Sequence, residues 1–496
     1  MGGLATLVRQ ERPLVARELR RMTSSKSAHD VLRISLAVLI ILSVSHIQQR
    51  YGFIEALRPG LLFTGLALVS AFVNPKGLAD FAWLREWPAK IVIALIVASL
   101  ASIVFGISQG GAWYFFSNFF WKVAVTALLL MAAMRTIRDV ALFAWAYVIG
   151  SAILVYMALF VFEMKAEANG ITRLSHLDTW DANDVCVVLL IALPFCLLFL
   201  RTSKTFGRCF AGIVLIGIGA AVARSGSRGG FIGLNSLLIA YIVSMKGAAR
   251  SRGFLMVLAV GTGLVVAAPI GYWKQMNTLT AAKSDYNYYE LQGRRQLAIR
   301  GMGYMLNYPV FGIGIGNFGR AEGTISPIAG MKGTIWSAPH NSYVEAGAEL
   351  GVPGFIFFIL LVLGCIIMPW RLRRSIPDQW ATGTEEQQLI ASVALYLPLC
   401  AVGFAIPAFF VSFAYLDPIY MIAAMNGALI VCTDRELREA SMHRSRRLKS
   451  LELTRDTAIG RSAVQTPEAA SFRRTIRWAP APSLDRSGGA KPPSES

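Results

Sequence analysis

Charge is what this chain has least of. Only 16% of its 496 residues are charged, against about 25% in a typical soluble protein. Hydrophobic residues make up 55%, and apolar runs of about 20 residues recur along the chain. A water-soluble enzyme of several domains is therefore excluded in favour of one polytopic membrane domain. Bilayers offer the backbone no hydrogen-bond partner, so the runs are read as helices and the fold class as all-α. Metal-ligand spacings are missing too. None of the six cysteines (Cys186, Cys196, Cys209, Cys365, Cys400, Cys432) forms a C-x-x-C pair, and no H-x-x-x-H or E-x-x-H pairing occurs. The expectation is no metal and no cofactor, with the cysteines serving as small buried hydrophobes. No cleavable signal peptide is visible. Residues 1–30 are polar and basic, which suits a cytosolic lead-in to the first span. No convincing internal repeat is found, which counts against transporters built from two similar halves.

The pattern predicts about twelve transmembrane helices, near 31–48, 57–74, 90–107, 118–135, 140–163, 184–201, 208–224, 229–245, 253–271, 343–370, 388–412 and 416–432. Together, residues 31–432 form the transmembrane domain. Loops carrying Lys76 and Arg85, Arg135 and Arg138, Arg201 and Lys204, Lys246 and Arg250, or Arg371 and Arg373 alternate with loops poor in basic residues. The positive-inside rule makes the basic set cytoplasmic, with both termini on the same side. This places the net charge of +19 in membrane-flanking loops, and nucleic-acid binding is not expected. The loop 272–342, between spans 9 and 10, is large and periplasmic on this topology. Residues 433–496 read as a basic cytosolic tail, disordered after a short helix, whose charges meet anionic lipid headgroups.

Arginines on the outer side break the charge rule and ask for a reason. They fall in three segments: 164–183, containing Arg173; the tight turn 224–230, containing Arg228; and the loop 272–342, containing Arg294, Arg295, Arg300 and Arg320. A guanidinium can grip a phosphate or diphosphate through paired hydrogen bonds. It can also pair with a loop carboxylate or reach a lipid phosphate, so a single outer arginine decides little. Arg228 is followed by Gly229-Gly230, which permits close approach of backbone or ligand.

The stretch 338–354, Ala-Pro-His-Asn-Ser-Tyr-Val-Glu-Ala-Gly-Ala-Glu-Leu-Gly-Val-Pro-Gly, places His340 at the lip of an apolar helix. Ser342 and Glu345 have capping-box spacing, which gives Glu345 a structural role. The positive end of the helix favours a neutral imidazole at His340, the form a general base requires. Glu349 lies one turn beyond Glu345, where a carboxylate in an apolar helix must face the protein interior and find a partner. Gly312, Gly314 and Gly316 lack a following Walker lysine, and are read as shaping a turn against neighbouring helices.

Four segments resemble the bacterial O-antigen ligase and polymerase superfamily of polytopic glycosyltransferases. They are Asp181-Ala-Asn-Asp184, Ser227-Arg-Gly-Gly-Phe-Ile-Gly-Leu234, Arg295 through Asn307-Tyr-Pro-Val-Phe-Gly-Ile-Gly-Ile-Gly-Asn-Phe318, and His340-Asn-Ser-Tyr-Val-Glu-Ala-Gly-Ala-Glu-Leu-Gly351. Together they cover roughly residues 170–365. The resemblance implies metal-independent transfer of a glycan from undecaprenyl diphosphate, at the periplasmic face of the bacterial inner membrane, under the large loop. It assigns Arg228 to the diphosphate and His340 to activation of the acceptor hydroxyl, with Arg295 and Arg173 as further diphosphate contacts. Asp181 or Asn183 would open the span, although Ala182 replaces the commoner proline between them. The acceptor implied is a lipid A core sugar, the growing glycan or a protein hydroxyl. These correspond to ligation or polymerisation of surface polysaccharide, with O-linked protein glycosylation as the alternative. From another class, a transporter or flippase of the lipid-linked glycan calls for charges in the middle of several spans. Here the polar groups gather at the outer edge instead.

Overall fold

The computed structural model describes residues 30–73, 82–166, 172–174, 180–245, 247, 250–251, 254, 270–277, 293–331 and 336–464. Among them, eight helices are long and apolar enough to cross a membrane: α2 (Gly52–Val73), α3 (Trp87–Phe105), α4 (Gln109–Ala133), α5 (Ile137–Val161), α6 (Ala182–Thr202), α7 (Thr205–Ser225), α12 (Ser342–Ser375) and α13 (Glu385–Phe410). A ninth apolar helix, α8 (Arg228–Ser244), has 17 residues. Each of the nine coincides with an expected span. The first expected span appears as α1 (residues 30–45), which ends where His46 turns left-handed (φ 51°). The last expected span begins α14 (Asp417–Val464), which runs well past residue 432. The expected N-terminal segment up to residue 29, the bulk of the span at 253–271 and the tail beyond Val464 lie outside the described residues. Residues up to Arg435 form one compact unit; those from Glu436 onward form a second, described to Val464 as helix.

Between α5 and α6 lies a short antiparallel hairpin, β1 (Met164–Ala166) with β2 (Thr172–Leu174), the only strands paired in a sheet among the described residues. The expected large loop holds three helices: α9 (Ile270–Asn277), α10 (Arg294–Asn307) and α11 (Phe318–Thr324).

α6 sits at the centre of the compact unit. Every residue from Val185 to Phe199 is buried, as expected of a helix that is apolar all round. Small residues on its neighbours bring backbones close, the usual way helices associate in lipid. A side chain added at Gly230 would collide with Cys186, and one at Gly233 with Pro407 and Leu190. At Gly403 on α13 it would strike the Leu190 carbonyl 2.8 Å away. The freedom expected of Gly229-Gly230 is thus used for packing: Gly229 lies against Phe410.

The break in α12 positions the loop. Gly351 adopts φ 71° and ψ −169°, which interrupts the helix. Pro353 has no N–H, so the Glu349 carbonyl has no helical donor four residues on. The turn after α10 supplies the missing partners. Ile313 N donates to Ala348 O (2.9 Å), Gly314 N to Glu349 O (3.0 Å), and Val352 N to Pro309 O (2.8 Å). The same turn reaches α3, with Ile107 N donating to Ile313 O (3.0 Å) and Ile315 N to the Ser102 hydroxyl (3.1 Å). Gly312, Gly314 and Gly316 all have positive φ. A Cβ on Gly312 would lie 2.3 Å from the Glu349 carbonyl carbon. The alternate glycines therefore shape a turn against neighbouring helices, as the sequence suggests.

Candidate active site

The sequence-predicted residues meet where α6, α8 and α12 begin. Asp181 caps α6, its side chain accepting from Asn183 N (2.6 Å) and Asp184 N (2.9 Å). Asp184 returns a bond to Asp181 N (2.9 Å), completing a capping box. The span-opening role expected of Asp181 or Asn183 falls to Asp181, and Ala182 accommodates the turn. Asn183 instead joins two motifs distant in sequence: the Ser227 hydroxyl donates to its side-chain oxygen (2.7 Å) while capping α8 through Gly230 N (2.9 Å). Gly226 enters this turn in the left-handed conformation (φ 63°), and Arg228 follows as the first residue of α8, half-buried.

His340 is also left-handed (φ 47°), a conformation that is uncommon outside glycine and that clusters at functional sites. Its backbone is held by a bond from His340 N to the Ser412 hydroxyl (3.0 Å). The imidazole is half-buried. Burial is the main force lowering its pKa below 6.5; Arg294 adds to the effect and Asp181 opposes it. The ring is therefore neutral at neutral pH, with one nitrogen able to accept a proton.

One expectation at this helix is corrected. The cap of α12 is Asn341, which accepts from Tyr343 N (3.0 Å) and Val344 N (3.1 Å), rather than Ser342. Consecutive Asn and Ser are both good caps, and the spacing of Ser342 to Glu345 favoured the wrong one. Ser342 turns inward, bonding Val411 O (2.8 Å) and Phe413 N (2.9 Å). Glu345 accepts from Ala414 N (2.9 Å). Both residues thus tie the start of α12 to segment 411–414, which also supplies Ser412. Because Gln retains a carbonyl oxygen for Ala414 N, Glu345→Gln is expected to cost no more than about 1 kcal/mol of stability. Transfer activity should survive; complete inactivation of a well-folded variant would make Glu345 a catalytic carboxylate.

Glu349 has the interior partners its depth demands. Its two oxygens accept from Gly316 N (2.7 Å) and Phe318 N (3.0 Å), with the Tyr415 hydroxyl beside them. It locks the glycine turn and the start of α11 onto α12.

The arginines expected on the outer side separate into two groups. Arg224 donates to Leu159 O (2.6 Å) and closes the end of α5. Arg300 grips buried Glu322 (2.6 Å), which also accepts from the Tyr304 hydroxyl (2.8 Å). Arg320 lies over the Trp336 ring at 5.8 Å. These three have structural work. Of the neighbouring pair on α10, Arg294 is half-buried and close enough to act on His340 and Asp184, whereas Arg295 is exposed. Successive helical residues point about 100° apart, so the sequence leaves open which one faces the histidine. Arg173 sits opposite Lys165 in the hairpin, and its side chain lies outside the described residues. The site thus gathers Asp181 and Asn183 at the start of α6, Arg228 at the start of α8 and His340 just before α12, with Arg294 of α10 acting on His340 and Asp184. Among the described residues no three His, Cys, Asp or Glu side chains are placed to hold a metal.

Residues 211–359 match the family described as O-antigen ligase. No curated protein matches the chain. The matched stretch contains Arg228, Arg294, Arg295, His340 and Glu349 and lies within the 170–365 region of the resemblance. It supports placement in the O-antigen ligase and polymerase superfamily, and with it a glycosyltransferase-like role in joining or extending surface polysaccharide.

Proposed function

We propose that this protein transfers a glycan from undecaprenyl diphosphate to an acceptor hydroxyl on the periplasmic face, with His340 as general base. The observation that carries the proposal is a histidine held in the left-handed conformation, near Asp181 and Arg294, at a cluster of helix starts. His340 takes the acceptor proton as that oxygen attacks the anomeric carbon. The anomeric C–O bond breaks, and its electron pair leaves on the diphosphate. The Asp181 charge, which opposes the lowering of the imidazole pKa, favours its protonated form. Arg228 and Arg294 lie on the diphosphate side, where fixed positive charge stabilises the charge that develops as the bond breaks. Arg295 and Arg173 are further diphosphate contacts as the donor docks. Attack opposite the leaving group inverts the anomeric centre. The arginines supply the charge stabilisation, so no metal is required.

The test is transfer by purified protein from a lipid-linked donor. Arg228→Ala should lower kcat/KM by about 10²–10³ at normal membrane yield, since it removes a charge-stabilising donor. Full activity would remove Arg228 from the site. Transfer should be unchanged by EDTA; loss restored by a divalent ion would overturn the metal-free mechanism. Ligase and polymerase are separated by the glycan on undecaprenyl diphosphate in a strain lacking the protein. Long chains accumulate if a ligase is missing, and single repeat units if a polymerase is missing.

A further inference from the structure

The basic end of the bundle, opposite His340, carries a second arrangement. An apolar pocket lies between α6, α7, α8 and α13. Its walls include Leu193, Leu197, Leu215, Val222 and Leu234, and Tyr241 lines it as well. Arg201 follows Leu197 by one turn of α6 and acts on Tyr241 and Tyr396. Arg373, on α12, is close enough to repel Arg201 and donates to Ser244 O at the end of α8 (2.9 Å). Two guanidiniums therefore converge at one end of a greasy cavity, and neither has a carboxylate partner among the described residues. Arg201 is exposed and Arg373 half-buried, so an anion at this surface can reach both charges. An anion with an apolar chain would satisfy both the charges and the cavity.

From this placement we infer a lipid site in the leaflet opposite the catalytic cluster: Arg201 and Arg373 hold the phosphate of an anionic phospholipid, and one of its chains occupies the cavity. Tyr241 and Tyr396 offer hydroxyls to the same phosphate. Guanidinium–phosphate bonds are among the stronger charge-assisted contacts. Basic pockets between transmembrane helices on the cytoplasmic side are suited to such headgroups. The site does not depend on the glycosyl-transfer proposal, because none of its residues belongs to the His340 cluster.

Gly219 permits a test that leaves every charge in place. It lines the cavity, and a Cβ there would meet nothing within 4 Å. Gly219→Leu should fill the chain space while Arg201→Gln/Arg373→Gln removes the headgroup contacts. Native mass spectrometry of detergent-purified protein reads lipid retention. Thermal unfolding with added phosphatidylglycerol, phosphatidylcholine or inorganic phosphate reads selectivity. Wild type should retain one phosphatidylglycerol and be stabilised by it, but not by phosphatidylcholine or phosphate alone. Both variants should lose at least about tenfold in occupancy, as expected from removing contacts worth 1.4 kcal/mol or more. Equal retention by all forms, equal stabilisation by phosphatidylcholine, or full stabilisation by inorganic phosphate would each overturn the lipid site. If the double arginine variant does not fold, Gly219→Leu alone decides, because it alters no charge.

Discussion

His340→Asn should abolish transfer while leaving the fold intact. Asparagine adopts the left-handed conformation more readily than other residues that bear a side chain, so the backbone at φ 47° and its bond to Ser412 are kept. The substitution removes only the proton acceptor. Losing a positioned general base costs about 10²–10⁴ in rate, and kcat/KM should fall by that factor with an unchanged elution profile. His340→Ala removes the base and also strains the turn, so it is the less informative variant. The pH profile adds an independent readout. Burial and Arg294 lower the imidazole pKa below 6.5, which favours the neutral, proton-accepting form. Activity limited by this group should therefore be flat at neutral pH and fall as pH drops through a midpoint below 6.5. A midpoint above that value, or substantial turnover by His340→Asn, would falsify the base assignment.

Glu349→Ala should produce the largest loss of stability among the polar residues discussed. It leaves the buried N–H of Phe318 without its acceptor, at about 1–3 kcal/mol, and also releases the more exposed N–H of Gly316. Glu349→Gln is intermediate. Each carboxylate oxygen serves a different N–H, and an amide offers only one acceptor, so its NH₂ faces a donor. Activity should fall along with stability, because the glycine turn sets where α10 holds Arg294 against His340. Gly312→Ala should give the same combined phenotype from the other side of the contact, since its Cβ would meet the Glu349 backbone at 2.3 Å. Thermal unfolding and transfer are to be measured on the same preparations. Glu349→Gln that unfolds like wild type but is inactive would show a carboxylate acting in the chemistry rather than in holding the loop.

The ease of reading the sequence followed the range of the interaction involved. Eight of the expected spans appear as helices long and apolar enough to cross a membrane, because long apolar runs in lipid have no alternative to the helix. The turn at Arg224–Gly230, the glycine-shaped segment at 312–316 and the buried partner required by Glu349 were also legible. Each rests on local backbone geometry or on the desolvation of a single carboxylate. The cap of α12 was not, because Asn341 and Ser342 are equally suited to the role by chemistry alone. Segment 411–414 gave no signal either: Ser412 and Ala414 are ordinary residues until the chain folds them against His340 and Glu345.

The sequence by itself determined that this is a helical membrane protein whose guanidiniums and histidine gather near helix ends, because hydropathy and the penalty for charge in lipid act along the chain. Only the tertiary structure decided what each arginine meets. Arg224 and Arg300 are held by carbonyls and a carboxylate from other elements, while Arg294 rather than its neighbour Arg295 acts on the histidine. It alone brought Asn183 to Ser227, and Arg201 to Arg373. Those pairings depend on helix rotation and packing between segments far apart in sequence, which no local pattern encodes.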